Sequence, residues 1–188
     1  MTGVQTCALP ILPDPEFSQP ILLKALFGKL HRGLVTQGEG KIGLSFPEHT
    51  ATRLGSWLRL HASEEKLLAF MASDWLTGMR DHCQLGNILA VPAGVQYRVV
   101  RRVQSKSNPE RLRRRAHQRA IAKGIDPSEI ANKISEGKKL TLPSVEMQSR
   151  SSGKTFFLFI EHGPLQDQPI EGEFSCYGLS ATATIPWF

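Results

Sequence analysis

Ten lysines or arginines fall within the 26 residues from Arg98 to Lys123, against a single acid, Glu110. The stretch carries +9 in a chain whose formal total is +6, so the other 162 residues sum to −3. A segment so charged belongs at a surface, and its local basicity points to a polyanion-binding face rather than a generally basic protein. Its second half begins as helices begin: Ser107 or Asn108 can cap it, Pro109 fits the first turn, Glu110 complements the positive end, and Gly124 can stop it. At about 100° per residue, Arg111, Arg114, Arg115 and Arg119 of a helix over 109–122 fall within an arc of about 140°. Leu112, Ala116 and Ala120 lie on a neighbouring arc that can rest on the domain. Guanidinium forks in such a stripe suit phosphate oxygens. A solvated charged face is the competing reading, and the scarcity of nearby acids favours nucleic acid.

The residues before this helix alternate as a strand, with Tyr97, Val99, Arg101 and Val103 on one face and Arg98, Val100, Arg102 and Gln104 on the other. Arg102 and Gln104 thus share a face, and Arg and Gln are the side chains that pair bidentately with guanine and adenine edges.

At 188 residues, with 40% apolar and 21% charged content, the chain can bury a core as one domain or two small ones. It contains no apolar run of membrane-spanning length. Cys7, Cys83 and Cys176 form no CxxC pair and no metal-ligand spacing, and an odd count is a poor disulfide framework. A reduced cytoplasmic setting is the expectation.

Taken in order, residues 1–11 differ from the rest: they lack the basic start and long apolar stretch of a signal peptide, and Pro10 and Pro13 spoil the end of any strand. They read as a non-native remnant fused in frame. From Ser18 a helical pattern runs through Leu23, Phe27, Leu30 and Leu34 and ends near Gly38. Residues 41–46 and 56–61 alternate as strands. Ser63 caps a second helix, with Glu64 and Glu65 in its first turn and Leu67, Leu68 and Met71 as core candidates. Residues 82–92 return as a strand or irregular segment. This order lacks only a leading strand to make a ferredoxin-like unit, so the sheet is expected to have an unpaired edge. A short helix starts at Asp126 and stops by Gly137, and residues 140–149 and 154–162 form a hairpin around Ser151-Ser152-Gly153. A DNA-reading helix-turn-helix is disfavoured because the basic residues sit on the first helix of the pair.

Five stretches together resemble one family: Leu26-Phe27-Gly28-Lys29-Leu30-His31, the run from Arg102 to Arg115, His162-Gly163-Pro164-Leu165-Gln166, Cys176-Tyr177-Gly178-Leu179-Ser180, and the final Pro186-Trp187-Phe188. From about Leu12 to Phe188 the chain is similar to the type I-F CRISPR repeat-processing endoribonucleases. The resemblance implies an α+β fold: an N-terminal ferredoxin-like domain over 12–95, and a smaller C-terminal domain over 96–188 carrying the arginine-rich helix and a β-hairpin. It implies an enzyme that binds the hairpin of each CRISPR repeat and cuts precursor crRNA once at the 3′ base of the stem. No metal and no cofactor take part, and the ends are a 2′,3′-cyclic phosphate and a 5′-hydroxyl. The enzyme then stays on its product and joins the other subunits of a surveillance complex.

By the same resemblance, His31 would take the proton of the ribose 2′-hydroxyl, Ser149 would hold that ribose, Ser151 would line the pocket, and Tyr177 would orient the imidazole. Arg102 and Gln104 would read bases at the foot of the stem, Phe156 would stack under the last base pair, and Arg114, Arg115 and Arg119 would lie along the RNA groove, with Arg111 on the same face. An internal 2′-hydroxyl needs only a base of near-neutral pKa and in-line geometry, which makes the scheme chemically sound.

From the residues alone, each assignment has a plainer rival. A helix-surface histidine is commoner than a catalytic one, serines at 149 and 151 flank a turn, Phe156 opens an apolar run, and Tyr177 can be a packed strand residue. His49, His61, His82 and His162 show no motif chemistry. Gln118 stands where the family's helix can carry another arginine, and Arg150 adds a positive charge between the two serines. A catalytically inactive hairpin-binding subunit is the alternative function, and His31 with Ser149 decides between the two.

Overall fold

The computed structural model describes residues 3–104, 117–122, 124, 140–149 and 152–188. The strand β1 (Val4–Pro10) is followed by the helix α1 (Gln19–Gly33), a wider turn over Leu34–Gly38, β2 (Gly43–Ser45), β3 (Trp57–Ser63), α2 (Glu64–Ala72) and β4 (Ile88–Ala90). The four strands form an antiparallel sheet in the order β2-β3-β1-β4. Two β-α-β units interleaved in this way are the ferredoxin-like arrangement.

A leading strand is therefore present, which corrects the expectation that the sheet lacks one. Val4–Pro10 lies inside the sheet, paired along its length with β3 and over Gln5–Cys7 with β4. Cys7 and Leu9, two residues apart on one face, are fully buried. Pro10 does not prevent the strand because it is its last residue, where its missing N–H is not needed; its carbonyl accepts from the Gln84 amide at 2.9 Å.

The helices form where the pattern places them. Ser18 stands at the start of α1 with extended backbone, Pro20 sits in the first turn, and Leu22, Leu23, Leu26, Phe27 and Leu30 make the buried stripe. The Ser63 hydroxyl caps α2 by accepting from the Lys66 amide at 3.3 Å. On α2 the core residues are Leu67 and Phe70, with Met71 packed against them; Leu68 is 54% exposed, contrary to expectation, because its position rotates it off the stripe.

The second sheet contains β5 (Gln96–Val103), β6 (Ser144–Gln148), β7 (Thr155–His162) and β8 (Thr184–Trp187), in the order β6-β7-β5-β8 and antiparallel throughout. β6 and β7 make the expected hairpin. β8 lies on the terminal Pro-Trp segment, where no strand was expected. One apolar core joins Leu9, Leu26, Leu44 and Leu60 to Val145, Leu158, Ile160 and Ile185. Residues Met1–Val103 and Leu142–Phe188 accordingly form one compact unit, and Gln104–Thr141 forms a second. The boundary expected between residues 95 and 96 separates the two sheets but not these units. In the second unit, 117–122 is helical, with Gln118 and Arg119 exposed and Ala120 buried. The start of the 109–122 helix and the helix expected from Asp126 lie outside the described residues.

Two helical glycines of α1 differ in kind. A Cβ on Gly33 would meet the Phe70 and Trp75 side chains at 3.0 Å, so packing requires a glycine there. A Cβ on Gly28 would meet only the Arg32 Nη1 at 3.8 Å, so packing does not.

Three histidines are structural. His162 stacks on His49 with ring centroids 3.6 Å apart and meets Trp187 edge-on. Burial, then the neighbouring His49 and Arg98, push its pKa down to about 3. His61, 3% exposed, places Nε2 at 2.8 Å from the Ser45 hydroxyl, while its buried Nδ1 has no hydrogen-bond partner among the described residues. Burial and, less strongly, Arg59 lower it from 6.5 to about 3. The unfolded chain therefore binds the proton that folded His61 refuses. The stability it supports is complete above about pH 6.5 and declines as pH falls toward about 3, by up to about 1.4 kcal/mol per pH unit. Denaturant titrations between about pH 7 and pH 4 should show this slope, and His61→Asn should make it shallower by about one proton. An unchanged slope would refute the assignment.

Candidate functional site

The last turn of α1 delivers His31. Its ring lies against Tyr177 with centroids 4.3 Å apart and planes within 10°. Tyr177 also stacks on Phe27, one helical turn before His31, at 6.4 Å and 11°. The tyrosine is held by a tight loop in which the Gly178 amide donates to the Ser175 carbonyl at 2.8 Å. Gly178 has φ +69°, and a Cβ there would come within 2.9 Å of the Leu44 side chain, so both backbone and space call for glycine. The Leu44 amide donates to the Gly178 carbonyl at 2.8 Å, fastening this loop to the end-strand β2.

The His31 Nδ1 lies 2.9 Å from the Cys176 carbonyl oxygen. A carbonyl can only accept, so in the neutral ring the proton is on Nδ1 and the lone pair is on Nε2. Nε2 has no hydrogen-bond partner among the described residues. The ring is thus fixed in plane and in tautomer, with its basic nitrogen available.

His31, Arg32, Gln148, Ser149, Phe156 and Tyr177 line one cavity of about 410 Å³. Ser149 follows β6, and its hydroxyl accepts from the Ser152 amide at 3.3 Å. Phe156, on β7, is half-buried at the start of the face that continues through the core residues Leu158 and Ile160, while alternation turns Phe157 out to 58% exposure. The Arg102 guanidinium sits 5.7 Å from the Phe156 ring centre and 5.4 Å from that of Tyr177. This is cation–π range. Four residues expected to act together, His31, Ser149, Phe156 and Tyr177, therefore share one wall, with Arg102 beside it.

The basic residues of β5 are not equivalent. Arg101 pairs with Glu161 at 2.8 Å. Arg98 donates to the Gly163 carbonyl through Nε at 2.9 Å and Nη2 at 2.6 Å and lies over Trp187. Arg102 has no carboxylate partner among the described residues. Among the described cations of the basic run, Arg98 and Arg101 are thus used internally, and Arg102, on the same face as Arg98 but four residues on, reaches the rings of Phe156 and Tyr177 instead. Among the described residues no acid lines the cavity, so its electrostatics suit an anion.

Gln104 is exposed and follows β5 in the second unit; Arg119 is exposed on the 117–122 helix. Arg111, Arg114, Arg115, Arg150 and Ser151 lie outside the described residues. The sequence reading did not find the Cys176 carbonyl, Phe27 or Arg32. The Phe27–His31 pair was detectable from its four-residue spacing; a backbone carbonyl carries no sequence signal. Among the described residues, no cluster of three His, Cys, Asp or Glu side chains is placed to hold a metal ion. No helix among them is long and apolar enough to cross a membrane.

Known proteins resemble this chain over nearly its whole length. Residues 7–188 match the family described as CRISPR-associated protein (Cas_Csy4). The chain is 49% identical over 180 residues to the CRISPR-associated endonuclease Cas6/Csy4 of Pseudomonas aeruginosa (strain UCBPP-PA14), covering 94% of this chain and 95% of that protein. It is 49% identical over 181 residues to the CRISPR-associated endonuclease Cas6/Csy4 of Escherichia coli (strain UTI89 / UPEC), covering 95% of this chain and 96% of that one. With a match across nearly its whole length, this chain belongs to the Csy4 family of CRISPR-associated proteins.

Proposed function

We propose that the protein is an endoribonuclease that binds the CRISPR repeat hairpin and cuts precursor crRNA at the 3′ base of the stem without a metal. The observation that carries this reading is the clamped imidazole: His31 stacked on Tyr177, its Nδ1 held by the Cys176 carbonyl, in a cavity shared with Ser149. The Nε2 lone pair takes the proton of the ribose 2′-hydroxyl, which Ser149 holds in line. The 2′-oxygen then bonds to phosphorus and the bond from phosphorus to the 5′-oxygen breaks; the leaving oxygen takes a proton from solvent, giving a 2′,3′-cyclic phosphate and a 5′-hydroxyl. General-base help of this kind contributes roughly 10²–10⁴-fold. Dependence on the 2′-hydroxyl makes the reaction specific to RNA.

Arg102 and Gln104 read bases at the stem foot, Phe156 stacks beneath the last pair, and Arg111, Arg114, Arg115 and Arg119 hold phosphates along the groove. A-form major grooves are normally too narrow for side chains, so the arginine helix engages where a short stem opens toward its loop. Ser151 assists substrate binding next to the cut. The product stays bound, and the protein carries it in the cytoplasm to the other subunits of a surveillance complex. Names of the two relatives as CRISPR-associated endonucleases support the reading.

A repeat hairpin RNA incubated with the protein in EDTA should be cut, and 2′-deoxy substitution at the attacking ribose should abolish the product. His31→Ala should keep hairpin binding and lose about 10²–10⁴-fold in single-turnover cleavage. Tight binding by the unaltered protein with no product would instead indicate a hairpin-binding subunit. Phe156→Ala should weaken binding by about 1–3 kcal/mol if the ring stacks on a base; a loss confined to thermal stability would mean that it only packs. Arg115→Ala should lower the salt slope of binding by about 0.7–0.9, and a slope that does not move would remove Arg115 from the phosphate contacts.

A further inference from the structure

A second cavity, about 620 Å³, runs beside α1 and adjoins the His31 pocket, sharing His31, Arg32, Met147 and Gln148 with it. Its other end reaches Ile21 and Lys24. From residue 21 to residue 31 the helix advances about 15 Å, the length of two or three nucleotides of extended strand.

Charge and shape in this groove both suit a phosphate backbone. Lys24, Lys29 and Arg32 line it against one acid, Glu146. Lys24 is paired with Glu146 at 2.6 Å, and Lys29 donates to the Thr77 carbonyl. Arg32 is exposed and makes no salt bridge or side-chain hydrogen bond among the described residues. Its Nη1 lies back over Gly28, 3.8 Å from where a Cβ would stand. Gly28 is the helical glycine that packing does not require. It leaves the helix backbone bare beneath an uncommitted guanidinium, one turn from His31, where another backbone can approach closely.

We propose that this groove holds the single-stranded RNA on the 3′ side of the cut, with a phosphate on Arg32 and its backbone against Gly28. The inference rests on the ribonuclease reading above and extends that site. The pocket end with Ser149, Phe156 and Tyr177 takes the stem foot and the attacking ribose. The strand that continues past the scissile phosphate then has the adjoining groove as its course, on the other side of His31. The walls shared with the cleavage pocket and complementarity to an anionic chain select this occupant.

The test uses the full chain and two repeat hairpins with a 2′-deoxy block at the attacking ribose. One ends at the stem foot and the other continues six nucleotides past the cut. The unaltered protein should bind the longer RNA about three- to tenfold more tightly, the net gain of one solvent-exposed hydrogen-bonded contact. Arg32→Ala and Gly28→Leu should each remove that increment, read as the ratio of the two RNAs' affinities within the same variant. In Arg32→Ala the difference in salt slope between the two RNAs should shrink by about 0.7. Gly28→Ala should melt no lower than the unaltered protein, as a glycine not needed for folding requires. Equal binding of both RNAs, with the bare hairpin bound, overturns the groove assignment alone. An increment that survives both groove substitutions does the same. Failure to bind the bare hairpin overturns the ribonuclease reading and the groove with it.

Discussion

A single apolar core holds both sheets, and the site exists because that core is shared. Leu26, Phe27 and Leu30 of α1 are buried in it together with Leu158 and Ile160 of β7 and Ile185 of β8. The exposed end of α1 is thereby set against the ends of β6 and β7. His31, the next residue after buried Leu30, has its place determined by packing one residue earlier. A side chain anchored in this way loses little further entropy when it is fixed by Tyr177 and the Cys176 carbonyl.

Electrostatics then select among the cations. Arg101 and Glu161 neutralise each other, and Arg98 is spent on the Gly163 carbonyl and the Trp187 ring. Burial lowers the Arg98 pKa, as expected for a guanidinium partly withdrawn from water. Arg102 is the one of the three that reaches the aromatic wall of Phe156 and Tyr177. The same division separates the histidines. His61 and His162 are held neutral by burial and bear on the fold. His82 pairs with Asp14 at 3.0 Å and ties β1's following loop to the segment before β4. His31 is held through one nitrogen, leaving the other for chemistry.

Much of this was legible in order along the chain. The stripe of α1, the Ser63 cap and the β6–β7 hairpin follow from local patterns of apolar spacing and turn residues, which depend on near neighbours. The first strand was missed because two prolines and an unusual composition outweighed the short Cys7–Leu9 alternation. Only pairing with β3 and β4 turns those residues into an interior strand. Leu68 was misassigned because a nine-residue helix offers too few turns to fix the angle of its buried stripe. β8 had no local signal at all, since Pro186 and Trp187 read as a tail until β5 supplies a partner.

For the site, the sequence alone determined which chemistry was at hand: a concentrated run of guanidiniums, a histidine on an amphipathic helix, and motif residues that mark the family. Those are matters of composition and short-range spacing. Tertiary structure decided which of them meet. It placed Tyr177 on His31 across more than a hundred residues, supplied a backbone carbonyl that sets the tautomer, neutralised Arg101 while turning Arg102 to the rings of Phe156 and Tyr177, and laid Arg32 over a glycine that folding does not need. Contacts of that kind arise from the packing of distant segments around one core, and no local pattern encodes them.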